Sequence, residues 1–377
     1  LGSIAVAPVA GMNQMLALAL LGGFALAYQL YGGLKAVALT DIVQVTLLVM
    51  GGLLVTGITL SHIGGGSVAG GFTQLWNAHP GHFEMILSKD NPFYKDLPGI
   101  SVLIGGMWIM NVSYWGFNQY IIQRALAAKD IREAQKGVVF AAFLKLLMPL
   151  VVVVPGIAAV VLAPDLAKPD QAYPTMMGLL PSGILGLVFA ALVAAIVASL
   201  ASKINSVATI FTLDFYAKSR PQADQARLVR VGRIAAASSV LLAILTARPL
   251  LGSFDQAFQY IQEYTGFFTP GIVVIFVLGL FWKRANEAGA LAAAIGSFAL
   301  SIVLKLAWPS LPFIDRVGLV FLLALALAAV VSLATRPQQA GSDLIRTDDV
   351  DYSTSAGFNV AAIGVVAILA ALYAIFW

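Results

Sequence analysis

The chain has 377 residues, 60% hydrophobic and only 11% charged, with a net charge of +4 at pH 7 and a mean hydropathy of +0.89. Soluble domains are about 45–50% apolar and about 25% charged, so an ordinary soluble enzyme of this length is excluded, and so is disorder, which needs low hydrophobicity. The pI near 9.2 does not indicate a nucleic-acid partner, because the basic residues fall in short clusters between apolar runs; what remains is an all-α polytopic membrane protein.

A hydrocarbon core about 30 Å thick asks about 20 residues of each span. The first ten residues are apolar but too short to cross. Apolar runs then predict ten spans, near 12–31, 36–62, 101–123, 137–163, 182–215, 229–247, 252–282, 285–306, 316–335 and 357–377. The 252–282 run is too long and too polar in its first half for one clean span, and Gly266 and Pro270 should break or kink it. With loops assigned alternately, fourteen of the 22 Lys and Arg fall on the side of the 32–35 loop and six on the other, while Lys145 and Lys203 lie inside spans. The positive-inside rule makes the first side cytoplasmic, which leaves Trp377 outside. The 65–100 loop, with His79 and His82, is then extracellular and suggests a short lid-like element. The 338–356 loop, with Asp343, Asp348, Asp349 and Asp351, reads as a solvated cytoplasmic linker. No signal-peptide pattern precedes the first span, and no cysteine is present, so disulfides and thiolate chemistry are excluded.

Polar groups inside a membrane are costly and mark pathways or binding sites. In SVLIGGMWIMNVSYWGFNQYIIQ, residues 101–123, Asn111, Tyr114 and Asn118 share a face by their i, i+3, i+7 spacing, after a Gly105–Gly106 pair that lets a helix unwind. Either this is interhelical glue or it is a site. Lys145 sits within VVFAAFLKLLMPLVVVVPG with no acidic neighbour on its helix; it either snorkels to the surface or serves a ligand. Ser199, Ser202, Ser206 and Thr209 form one hydroxyl stripe. Such a stripe favours close helix packing, or coordination of a hard cation by oxygen. In GSFDQAFQYIQEYT, Gln259 and Gln262 stand beside Phe258 and Tyr260. That set suits a polyhydroxyl ligand, and an amphipathic re-entrant helix explains it as well. Asp41, with Thr40 and Gln44, is either a helix-dipole partner or part of an ion exit path. No His pairs with a carboxylate inside a span, and no Gly-rich phosphate loop precedes a helix, which disfavours an enzyme and ATP-driven transport.

Four stretches, NVSYWGFNQYIIQRALAAKD, FLKLLMPLVVVVPGIAA, AAIVASLASKINSVATIFTLDFY and AFQYIQEYTGFFTPGI, occur in this order between about Ala36 and Trp282. In them the chain resembles the sodium/solute symporter family, above all its bacterial sodium/galactose and sodium/glucose members. The resemblance implies a LeuT-type fold of two inverted five-helix repeats with substrate held near broken helices. It implies Na⁺ as coupling ion, a sugar as substrate and a multi-pass place among the lipids of the plasma (bacterial inner) membrane. By resemblance, Asn111, Lys145 and Gln262 bind sugar, Tyr114 is the inner gate and Phe258 an outer gate. Ala195, Ala198 and Ser199 match the sodium-coordinating segment, with Ala198 where sugar symporters often carry Ser. Asp41 matches an Asp near the sodium exit route. Residues 1–64 then correspond to the last two helices of the first repeat, 65–100 to an extracellular loop, 101–282 to the second repeat and 283–377 to peripheral helices. The family has about three further spans before residue 1, so the chain is expected to be an N-terminally truncated fragment that does not transport by itself. Two other readings remain on the same residues. One is Na⁺-coupled symport of an organic acid, proline or a polyol. The other is a transporter-like sensor, which would need a cytoplasmic signalling domain after the last span.

Overall fold

The structure, a computed structural model, describes residues 1–251, 256–335 and 350–377, with side chains described outside 31–41 and 248–251. Among the described residues it is all-helical. In chain order the helices are α1 (Gly2–Val9), α2 (Gln14–Ile63), α3 (Val68–Ala78), α4 (Ser101–Ile104), α5 (Gly106–Val112), α6 (Gln119–Leu126), α7 (Ile131–Leu146) and α8 (Val154–Leu162). They continue as α9 (Ala172–Met177), α10 (Ser182–Ile210), α11 (Gln225–Leu251), α12 (Ala257–Thr265), α13 (Thr269–Phe281), α14 (Glu287–Ala307), α15 (Phe313–Ala334) and α16 (Ala356–Ile375). Three π-helical stretches, Ser113–Phe117, Pro149–Val153 and Phe211–Ala217, adjoin them.

Among the described residues, seven helices are long and apolar enough to cross a membrane, or up to nine if each of two bent pairs is one span. Ten were expected. The main difference is the 101–123 run, where Gly105 and Asn118 interrupt the helix so that no unbroken span forms. Another difference is that the expected spans 12–31 and 36–62 both lie on the 50-residue α2. One bent pair joins α1 to Gln14–Leu30 at 118°. Gly11 turns there at φ 61, a left-handed conformation that glycine adopts without a Cβ clash, and Asn13 caps α2 by accepting from the Met15 N–H. The other pair, α12 and α13, meets at 42°, as Gly266 and Pro270 suggested. Pro270 falls at the second position of α13, where its missing N–H is one the helix would leave unpaired anyway.

The chain forms two compact units, Leu1–Phe83 with Ala141–Ala257, and Glu84–Phe140 with Phe258–Trp377. In the first unit the core joins α1, α2, α10 and α11 through Val6, Ala17, Leu21, Val197, Ala208 and Ala236, with a second cluster around Val55, Met176, Met177 and Val188. Hydrophobic water expulsion cannot drive helices together in lipid, so small residues that admit close van der Waals contact do the work. Gly52 of α2 illustrates this, since a Cβ there would collide with Val151 Cγ1. The 65–100 region begins with α3, capped by the Ser67 hydroxyl. It carries an aromatic cluster of Phe72, Trp76 and Phe83.

In the second unit, α13, α14 and α15 pack through Val274, Ala293, Ala324 and Ala328. Gly106 lets α5 approach α15 so closely that a Cβ would run into the Ile314 carbonyl. Asn286 ties the start of α14 to the end of α15: its Nδ2 donates to the Ser332 carbonyl at 3.2 Å and to Thr335 Oγ1 at 2.8 Å. Its Oδ1 also caps the Gly289 N–H at 2.9 Å. None of the residues of α16 is buried, and its large side chains, among them Val360, Ile363 and Val366, are exposed. An apolar helix with that much bare surface fits a lipid-facing position.

Candidate functional site

The sequence-selected residues divide between the two units. In the second unit, Gly105 (φ −128, ψ −105) separates α4 from α5, so the unwinding suggested at the glycine pair occurs there. Asn111 stands in the last turns of α5 and donates from Nδ2 to the Met107 carbonyl at 2.9 Å. One of its two amide hydrogens is thus used on its own helix. Tyr114 lies in the π-helical stretch and accepts a 2.9 Å hydrogen bond from the Tyr120 hydroxyl, with the two rings edge-on at 6.1 Å. Trp115 packs against the same ring at 5.4 Å. Asn118 does not extend the Asn111–Tyr114 face. The π-helical turn, with its i→i+5 bonding, shifts the register, and Asn118 is itself extended at φ −90, ψ 114. Phe117, from the same stretch, stacks on Phe276 of α13 with ring centres 4.4 Å apart.

Phe258 and Gln262 lie on α12 at i and i+4 and so share a face. Phe258 is 57% exposed and Gln262 half-buried. Gln259 does something different from the polyol-binding amide suggested beside Gln262: its Nε2 donates to the Asp96 carbonyl at 3.0 Å. Among the described residues no hydrogen bond joins Asn111, Tyr114, Phe258 and Gln262 to one another. The break after α12 has its freed backbone groups satisfied. Ser297 of α14 donates to the Phe267 carbonyl at 2.9 Å and accepts from the Gly271 N–H at 3.0 Å. Thr269 donates to the Thr265 carbonyl at 2.9 Å. In lipid such groups find no water, so a broken helix persists only with partners of this kind.

In the first unit, Lys145 is exposed and lies at the end of α7, within a helical run that continues to Leu162. The π-helical Pro149–Val153 follows, and its Leu150 carbonyl accepts from Thr56 Oγ1 of α2 at 2.5 Å. On α10, Ala195 is half-buried, Ala198 buried and Ser199 exposed. Of the remaining stripe, Ser202 and Ser206 are buried and Thr209 half-buried. Asp41 lies outside the residues whose side chains are described.

Two groups escaped the sequence reading. One is a cavity of about 360 Å³ in the first unit, lined by Gln29, Asn205, Thr209, Thr212 and Arg233 among others. Gln29 Nε2 donates to Asn205 Oδ1 at 3.2 Å there, while Gln29 Oε1 and Thr212 Oγ1 have no partner among the described residues. Continuing the stripe three residues past Thr209 would have found Thr212. The other is an ion cluster in the second unit. Glu263 Oε1 lies 2.7 Å from Arg316 Nη2 and 2.9 Å from Lys305 Nζ. Lys305 and Arg316 looked like ordinary loop charges in the sequence, and no pattern linked them to Glu263. Among the described residues, no group of three or more His, Cys, Asp or Glu could hold a metal ion.

Residues 2–296 match the sodium:solute symporter family. The chain is 47% identical over its full length to the sodium/glucose cotransporter of Vibrio parahaemolyticus, of which it covers 73%. It is 35% identical to the sodium/myo-inositol cotransporter 2 of Sus scrofa over 80% of the chain, which spans 49% of that protein. The fold matches a solved structure of a Na⁺-coupled sialic acid symporter in a substrate-bound, outward-open state, with TM-score 0.72 and 20% identity. That match covers 89% of this chain and 70% of the other. With the broken helices, the apolar spans and these matches together, the chain belongs to the sodium:solute symporter family.

Proposed function

We propose that the chain is part of a secondary-active symporter that couples Na⁺ to uptake of a glucose- or galactose-like sugar across the plasma membrane by alternating access. The observation that carries this reading is the 47% identity to the Vibrio sodium/glucose cotransporter along the whole chain. The fold shared with a Na⁺-coupled sialic acid symporter supports the LeuT-type arrangement, with 1–64 as the remainder of one inverted repeat and 101–282 as the other.

In this reading Asn111, Lys145 and Gln262 hydrogen-bond the sugar hydroxyls, Tyr114 gates inward release and Phe258 closes the outer side. Na⁺ is coordinated at Ala195, Ala198 and Ser199. At the two alanines only backbone carbonyls are on offer, so Ser199 supplies the side-chain oxygen, a donor type that hard cations prefer. Asp41 lines the sodium exit route. Coupling requires that Na⁺ bind the outward-open state more tightly than the inward-open one, since a ligand with equal affinity for both shifts nothing. The test is uptake of labelled glucose and galactose by the full-length gene product, with and without a sodium gradient. Uptake should need sodium and fall with Ser199→Ala; uptake unchanged by either removes this reading.

A second substrate class has its own support, the match to a protein named for myo-inositol. Competition of hexoses and myo-inositol against the labelled sugar decides between a pyranose and a cyclitol.

A further inference from the structure

Glu263 of the second unit lies within the AFQYIQEYTGFFTPGI stretch, but the resemblance assigns no role to it or to its partners Lys305 and Arg316. Arg316 is in the first turn of α15 and its side chain is 6% exposed. Lys305 is in the last turn of α14. Both cations meet the same oxygen of Glu263. Both also lie over the Phe267 ring, Lys305 Nζ at 5.6 Å and Arg316 Cζ at 5.4 Å from its centre, within cation–π reach. An acid removed from this position would leave a buried guanidinium uncompensated, which is far worse than removing both charges. Glu263 is therefore held where α14 and α15 put it.

That constraint reaches the ligand-facing side of α12 through helix geometry. Successive residues are about 100° apart around an α-helix, and residues four apart share a face. Gln259 and Glu263 are four apart and are both anchored within the second unit, Gln259 to the Asp96 carbonyl and Glu263 to Arg316 and Lys305. Two anchors on one face set the rotation of the helix about its axis. The adjacent face, one residue around, carries Phe258 and Gln262.

We propose that Glu263 is a positioning residue for substrate recognition, its carboxylate clamped by Arg316 and Lys305 so that α12 presents Gln262 and Phe258 in one rotational setting. The proposal rests on the reading that Gln262 contacts the sugar. The experiment is Na⁺-driven uptake of labelled glucose in proteoliposomes containing equal amounts of monodisperse full-length gene product. Glu263→Gln should raise KM for sugar about tenfold while kcat and the sodium dependence stay within about twofold. The double variant Glu263→Gln with Arg316→Gln removes the uncompensated guanidinium and keeps a hydrogen-bonding pair, so KM should return to within about threefold of the parent. A purely structural role would lower kcat or the yield of folded protein in the single variant and leave KM unchanged in both. Should Glu263→Gln not fold, Glu263→Asp, which keeps the charge and shortens the reach, should raise KM about threefold. Unchanged KM in Glu263→Gln or, where that variant does not fold, in Glu263→Asp overturns the proposal, as does a double variant no better than the single. Gln262→Ala separates the two failures. If it raises KM while the Glu263 variants do not, the site reading stands and the anchor falls. If Gln262→Ala leaves KM unchanged, the site reading falls and the anchor with it.

Discussion

In the first unit, the long helices α2, α10 and α11 meet through alanines and valines, and several of their hydroxyls bond back to their own helix, as Thr59 does to the Val55 carbonyl. In the second unit, α12 and α13 are held to α14 and α15 by two named polar clasps, Ser297 at the break and Glu263 between two cations, while Asn286 ties α14 to α15. For these helices the difference follows from continuity; the first unit's own break, 118° between α1 and Gln14–Leu30, is turned by Gly11 and capped by Asn13 rather than clasped by another helix among the described residues. An unbroken helix satisfies its own backbone in lipid and needs only a close-fitting neighbour. A broken one exposes N–H and C=O groups that another element must pair. The broken segment is also where Gln262 and Phe258 sit, so in the second unit the groups that stabilise the fold are the ones that shape the candidate site.

The comparison is broken or sharpened first where backbone meets backbone. Gly106→Ala places a Cβ against the Ile314 carbonyl, and neither group can rotate away. A cost of about 3 kcal/mol is expected, at the upper end for overpacking, seen as loss of most monodisperse protein in detergent. Next comes Ser297→Ala, which leaves the buried Gly271 N–H and Phe267 carbonyl without their partner. An unpaired buried group costs about 1–3 kcal/mol, so the thermal midpoint should fall clearly while the protein still folds. In the first unit, Gly52→Ala should cost less, about 1–2 kcal/mol, because what stands in its way is the Val151 side chain, stiff at χ1 but not backbone. A Gly52 variant as damaging as the Gly106 one would show that the first unit is no more tolerant than the second.

Much of this architecture can be read from composition and spacing, and the failures have physical causes. The kink at Gly266 and Pro270 and the unwinding at Gly105 are local backbone properties and show in sequence. Asn118 was misplaced because a 3.6-residue period was carried through a π-helical turn, which no residue type announces. Gln259 and Gln262 looked equivalent as amides, and only the position of the Asp96 carbonyl separates an anchor from a candidate ligand. The Glu263–Arg316–Lys305 cluster draws on three helices, and without the fold its members read as one in-span acid and two loop cations. The family was legible because its motifs are runs of consecutive residues.

The smallest expected effect tests the other half of the comparison. Thr59 is fully buried on α2, and among the described residues its hydroxyl bonds only to the Val55 carbonyl one turn back. That carbonyl is already paired within the helix, so the hydroxyl bond replaces nothing the backbone lacks. Thr59→Val keeps the branched shape, removes donor and acceptor together and leaves no orphan behind. A change of less than about 0.5 kcal/mol is expected, since exchanging a satisfied polar group for an apolar one of the same shape is close to neutral. The detergent thermal midpoint should therefore barely move, in contrast to Ser297→Ala, where a hydroxyl of the same kind joins two elements across a break. Equal shifts for the two variants would mean that a hydroxyl inside a continuous helix matters as much as one that clasps a broken helix, and the distinction between the units would fail.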